Sequence, residues 1–305
     1  MTGRLVGYMS VISGKIQKSF DEQVHRQLIN HLERSWRKEG STSLNTSSVA
    51  ITKTGKYYSG LLESQTHLLD ITSESAALAL AVANKDPLVE EVITVVDGLF
   101  ELNPLVIKML IDHGARTGKK IAYQVFDTSG NNVFNQSKVV YQGYNPEGRE
   151  IQKVKEWIPE TNGFTLDMKK SINEQLFVGA IKGCETHFSS GTKSLYGAAV
   201  VAAGKMYWAG AYSMFDKRLM LHAEMVAALT AFADGKRDIS HVGAISSKCE
   251  TVPVEMCGCC RQFFVEIQQQ TNQPIKVISF SYDGKKVKER MLSEYLPDPW
   301  TSLSK

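Results

Sequence analysis

The 305 residues contain no apolar run long enough to cross a bilayer. The start, Met1-Thr2-Gly3-Arg4, lacks the charged segment and following apolar stretch of an export signal. A cytoplasmic protein with no membrane partner is expected. Strong charge bias is missing too: 35 Lys and Arg against 32 Asp and Glu leave a net charge of +3. That is too little for the broad basic footprint of a nucleic-acid binder. Lys276, Lys285, Lys286, Lys288 and Arg290 form a local basic cluster, which reads as a solvated face. Cysteine is sparse and odd in number, five in all, and three of the five fall within four residues. This argues against a disulfide framework and for metal or free thiols in a reducing compartment. A four-cysteine structural zinc site would need a second matching pair, and Cys184 and Cys249 are not spaced that way.

What is present is a globular composition, 43% hydrophobic and 22% charged. The length suits two domains with a sizeable core. In residues 16–36, Ile16, Phe20, Val24, Leu28, Leu32 and Trp36 recur every fourth position and predict an amphipathic helix. A strand at Val49-Ala50-Ile51, a turn at Thr54-Gly55-Lys56 and a return strand at Tyr57–Gly60 follow. Then come a helix over 73–84, a buried strand at Val92–Val96, a helix from Leu105 to His113 closed by Gly114, and a strand at Lys120–Val125. The segment from Gly130 to Glu156 reads as loop and linker approach.

The second half repeats this order. It reads as helix 167–184, strand 197–201, turn at Gly204-Lys205, return strand 207–210, helix from His222, strand 242–245 and helix from Cys257. The last clear strand is 276–280. Residues 49–56 lie over 198–205, Ser73–Ala77 over Ala223–Ala227, and Trp157–Glu160 over Tyr295–Asp298. Three matches in one order predict an internal duplication. The expected division is a first domain over 1–160 and a second over 161–305.

Two short runs carry the chemistry: His222-Ala223-Glu224 and Cys257-Gly258-Cys259-Cys260-Arg261-Gln262. Each alone is weak. Together they supply one imidazole, two thiolates spaced C-x-x-C and a spare carboxylate. That set makes a three-ligand zinc site with an open fourth position, and it fits the H-x-E…C-x-x-C signature of zinc deaminases. Both runs are predicted to open helices, whose N-termini favour thiolate. Glu224 is the candidate catalytic acid and base, and His222, Cys257 and Cys260 are the candidate metal ligands. Arg261 reads either as a donor to a thiolate or as a surface cation.

From these residues onward the second half resembles the nucleoside cytidine deaminases, whose pattern runs [CH]-A-E, then P-C-G-x-C-R-Q, then a tail like Tyr295-Leu296-Pro297-Asp298-Pro299-Trp300. The resemblance implies an α/β protein, here a tandem duplication of the three-layer α/β/α deaminase-like fold. It implies Zn²⁺ as cofactor and hydrolytic conversion of cytidine or deoxycytidine to the uracil nucleoside. Ala223, Glu63 and Trp300 become candidate substrate contacts, and a homodimer is implied, in which the first half helps close a zinc site. The chain also departs from the family. Thr72, Asn103 and Val106 stand where the first half's ligands belong, so that half is expected to be zinc-free, although Glu74 remains. Met256 replaces the proline before Cys257. The ribose-binding N-x-E is missing: Gly210 is followed by Ala211-Tyr212-Ser213-Met214. Alternatives are deamination of a modified cytosine nucleoside or nucleotide, or of polynucleotide cytosine, and a zinc-stabilised scaffold that binds without catalysis.

Overall fold

Runs of small and β-branched residues pair into two sheets of one plan. The computed structural model describes residues 28–30, 45–61, 63–66, 69–100, 102–136, 162–189, 193–214 and 220–297. In the first half, β1 (Asn45–Thr52) pairs antiparallel with β2 (Tyr57–Leu61) on one side and with β5 (Val89–Asp97) on the other. Strand β5 runs parallel to β6 (Ala122–Asp127), and β7 (Asn132–Gln136) closes the edge antiparallel. A small hairpin, β3 (Glu63–Thr66) with β4 (Leu69–Ile71), leads into helix α1 (Ser73–Ala83). The parallel step needs a crossover, which helix α2 (Pro104–Thr117) supplies.

The second half repeats the plan. After β8 (Phe164–Thr165) and helix α3 (Ile172–Cys184), β9 (Tyr196–Ala202) pairs antiparallel with β10 (Lys205–Gly210) and with β11 (Ile239–Ser246). Strand β11 is parallel to β12 (Lys276–Phe280), and β13 (Val287–Met291) is antiparallel at the edge. Helices α4 (Ala223–Ala233) and α5 (Gly258–Thr271) match α1 and α2 in length, 11 and 14 residues. A short helix, α6 (Leu292–Tyr295), follows β13. Even a side-chain bond recurs: the Tyr58 hydroxyl donates to Asp86, and the Tyr207 hydroxyl to Asp234. The fold is a tandem duplication of an α/β unit, as the sequence predicts.

Helix α1 is buried over all eleven residues. An ordinary surface helix shows one apolar stripe; a helix buried all round is enclosed on every side. Here α1 lies between its own sheet and α4 of the other half, and its alanines permit the close approach. One hydrophobic core therefore runs through both halves, from Val92 and Leu78 to Val226 and Phe264. The opposite face of the second sheet is covered by α3 through Leu176 and Ala180. On the first sheet the equivalent face receives Leu28, which is fully buried against Val49, Ile93 and Phe126. Of the amphipathic helix expected over 16–36, residues 28–30 are helical and the rest lies outside the described residues.

Four boundaries differ from expectation. Helix α2 does not stop at Gly114 but runs to Thr117, and Gly118 caps it in the left-handed region, φ 65°. Gly114 serves packing instead: a Cβ there would sit 2.4 Å from the Lys119 carbonyl oxygen. Helix α3 starts at Ile172, because Ser171 and Glu174 form a reciprocal capping box. Residues 132–136, expected as loop, form β7, and β13 follows the strand expected to be last. The basic cluster is paired with acids: Lys276 with Glu289, Lys285 with Asp283 and Lys288 with Glu255.

Candidate metal centre

His222 and Cys257 occupy N-cap positions, of α4 and α5 respectively, and neither side chain caps its helix. Cys260 sits in the first turn of α5. The imidazole Nδ1 of His222 lies 3.2 Å from Cys257 Sγ and 3.3 Å from Cys260 Sγ. The three donor atoms lie within 4.8 Å of one another, a grouping that can hold a metal ion. Donors on a tetrahedral zinc, at the bond lengths usual for sulfur and nitrogen, stand roughly 3.5 Å apart. The donor chemistry and spacing fit that ion.

The thiols are strongly coupled. Hydrogen bonding from Cys260 pulls the Cys257 pKa far down, and the same contact pushes that of Cys260 up. His222 is raised, first by its bond to Cys257 and then by the Glu224 charge. Glu224 is itself raised by burial, against the opposing pull of His222. Its side chain is enclosed by protein yet keeps some accessible surface. The carboxyl meets the Cys260 thiol and so lies beside the three donors.

Arg261 serves neither role expected of it. Its Nε donates to the Met256 carbonyl at 2.7 Å and its Nη1 to the Tyr295 carbonyl at 3.2 Å, with the guanidinium over the Tyr295 ring. It ties the residue before Cys257 to α6. Met256, the residue before Cys257, is buried. Cys259 is exposed; Cys184 is buried, and burial pushes its pKa up to about 11.

The first half shows what the same positions do without ligands. Thr72, at the place of His222, caps α1 by accepting from Ser75 N at 3.2 Å. Asn103, at the place of Cys257, caps α2 by accepting from Leu105 N at 2.9 Å. Val106, at the place of Cys260, is buried in the core. Glu74 is 5% exposed and accepts from the Tyr123 hydroxyl at 2.7 Å and Thr94 Oγ1 at 3.0 Å. A shell of hydroxyls has closed around this carboxylate.

Of the candidate substrate contacts, Ala223 is the buried first residue of α4. Glu63 lies on β3, which runs beside α5 of the second half, but its side chain is outside the described residues. Trp300 is also outside them. The hairpins align the halves: Glu63 pairs with Ile71, just before Thr72, and Tyr212 pairs with Leu221, just before His222. Tyr212 therefore stands where Glu63 does. Sequence reasoning missed its partner, His113, whose Nδ1 lies 2.7 Å from the Tyr212 hydroxyl. No local signal marks a pair 99 residues apart. Among the described residues no helix is long and apolar enough to cross a membrane.

No family model matches the chain, and no curated protein matches it. Among solved structures it is similar to the cytidine deaminase from Burkholderia pseudomallei, at 23% identity and a TM-score of 0.38, over 42% of this chain and 98% of that one. It is also similar to the cytidine deaminase from Mycobacterium tuberculosis, at 17% identity and 0.36, over 43% and 99%. The enzyme from Mycobacterium leprae matches at 17% and 0.35, over 42% and 100%.

Proposed function

We propose that the chain is a zinc-dependent hydrolase that removes the exocyclic amine of cytosine in a nucleoside such as cytidine or deoxycytidine, releasing ammonia. The observation that carries this reading is the pairing of three grouped donors, His222, Cys257 and Cys260, with an enclosed carboxyl, Glu224, two residues after the imidazole. A structural zinc has no use for that carboxyl. Bound zinc would lower the pKa of a water toward neutrality. Glu224 would accept one proton of the attacking water and deliver it to the ring nitrogen, then take the remaining proton from the hydroxyl added to carbon and give it to the leaving amine, so that ammonia departs as the carbonyl forms. The α5 N-terminus, where both cysteines sit, favours the charge of the two thiolates.

On this reading residues 161–305 are the catalytic domain and residues 1–160 a zinc-free relative. Ala223, Glu63 and Trp300 are proposed to contact substrate, and two chains to associate. One observation favours the alternative of a modified cytosine nucleoside or nucleotide. Ala211, Tyr212 and Met214, which follow Gly210 where the resemblance implies a ribose contact, are all buried. The test is ammonia release from cytidine, deoxycytidine and their phosphates by zinc-loaded protein. Turnover of any of them supports the reading, and absence of turnover on all of them removes it.

A further inference from the structure

The metal ligand His222 is reached from the first half through an unbroken series of short contacts. Leu221, its neighbour in sequence, exchanges both backbone hydrogen bonds with Tyr212, each 2.9 Å. Ser213 N donates to the Phe188 carbonyl at 2.8 Å, and Phe188 N to the Ala211 carbonyl at 2.9 Å. Residues 188, 211–213 and 221 thus form a small three-stranded patch whose last member leads into the N-cap of α4.

Two residues of α2, in the other half, grip that patch. His113 Nε2 faces the Pro87 carbonyl at 2.7 Å, so it carries the ring proton and donates. Nδ1 is then the acceptor, and the Tyr212 hydroxyl donates to it at 2.7 Å. Both residues are fully enclosed. Arg116 is held by Asp112 through two bonds, 2.9 and 3.1 Å, and donates to the Ser213 carbonyl. Phe188 stacks against both the His113 and Tyr212 rings, at 5.2 and 5.5 Å, with the Arg116 guanidinium 5.3 Å from its centroid. A backbone segment with a directed, buried bond at one end and a charged donor on the next carbonyl has little freedom to shift.

We infer that His113 and Arg116 of the first half are positioning residues for His222, acting through Tyr212 and Leu221. This rests on the reading of His222 as a metal ligand. The half without ligands then fixes the backbone from which the imidazole projects. Partners that orient a ligand without touching the metal change metal affinity by roughly 10–100-fold when removed.

The experiment measures zinc release from the full chain to a chromophoric chelator, well below the melting temperature. Tyr212→Phe deletes the hydroxyl that His113 holds, and Arg116→Ala deletes the donor to Ser213. Each is expected to release zinc roughly tenfold faster than wild type, and to shift the visible absorption of the cobalt-substituted centre. Tyr123→Phe deletes the buried bond to Glu74 in the first half, which involves neither the patch nor the Pro87 carbonyl that holds His113. It is expected to release zinc at the wild-type rate. If Tyr212→Phe does not fold, Arg116→Ala carries the test. Wild-type release from both variants overturns the inference while leaving the metal reading intact, as does equal acceleration by Tyr123→Phe. A wild-type chain that takes up no zinc overturns both.

Discussion

Thr72 and His222 hold the same place in the duplicated fold, each the N-cap of an eleven-residue helix, and only Thr72 turns its side chain onto that helix. Asn103 and Cys257 stand in the same relation on the fourteen-residue helices. A helix N-terminus leaves backbone donors unsatisfied, and Thr or Asn stabilises it by accepting from one of them. A metal ligand in that position must leave that donor unmet. The first half has caps where the second has candidate ligands. Thr72→Ala and Asn103→Ala should therefore each cost about 1 kcal/mol in urea unfolding of the metal-free chain. His222→Ala should cost nothing through capping under the same conditions. A cost for His222→Ala equal to that for Thr72→Ala would contradict the assignment.

Glu224→Ala should keep zinc and fold but lose deamination by on the order of 10²–10⁴-fold. Glu224→Gln, which keeps the shape and removes the charge, should be impaired comparably. The measurements are turnover and bound zinc on the same preparation. Turnover within about tenfold of wild type would remove Glu224 from the proton transfers.

Glu74 occupies the equivalent place in the first half and should behave differently. It accepts buried bonds from Tyr123 and Thr94, and Ser48 and Ser73 continue the hydroxyl network. Glu74→Ala leaves those donors unsatisfied, at a cost of about 1–3 kcal/mol for a buried group. The expected outcome is a lower urea midpoint with bound zinc unchanged.

The neutral state of His113 makes stability depend on pH. Burial lowers its pKa from 6.5 to about 4, with Arg116 lowering it further and Asp112 and the Pro87 carbonyl opposing. The unfolded chain takes up this proton first, so stability is complete above about pH 6.5 and falls as pH drops toward 4. Between about pH 7 and pH 5 the loss should be about 2 kcal/mol. Denaturant unfolding of metal-free wild type and His113→Gln at the two pH values isolates this from other groups. Equal slopes would show that His113 does not titrate as described.

The grouping of His222, Cys257 and Cys260 was legible because such donors stand at local spacings in the sequence, and helix N-termini place them. The paired halves were legible because turn glycines and buried runs recur at matching positions, as at Gly55 and Gly204. Strands β7 and β13 were not. Their sequences, NVFNQ and VKERM, are polar and lie at sheet edges, where one side is open and apolar alternation is not required. Gly114 misled as a helix stop because its use is a close approach to the Lys119 backbone. The contact between His113 and Tyr212 was invisible because it depends on how the two halves dock, through α1 and α4.

The asymmetry of the two halves is tested most directly by counting metal. Protein purified without chelators and analysed for metal against accurate chain concentration should carry one zinc per chain, and Cys257→Ser with Cys260→Ser should carry none. Two zincs per wild-type chain would contradict the capped, ligand-free first half, and none would contradict the centre at His222, Cys257 and Cys260.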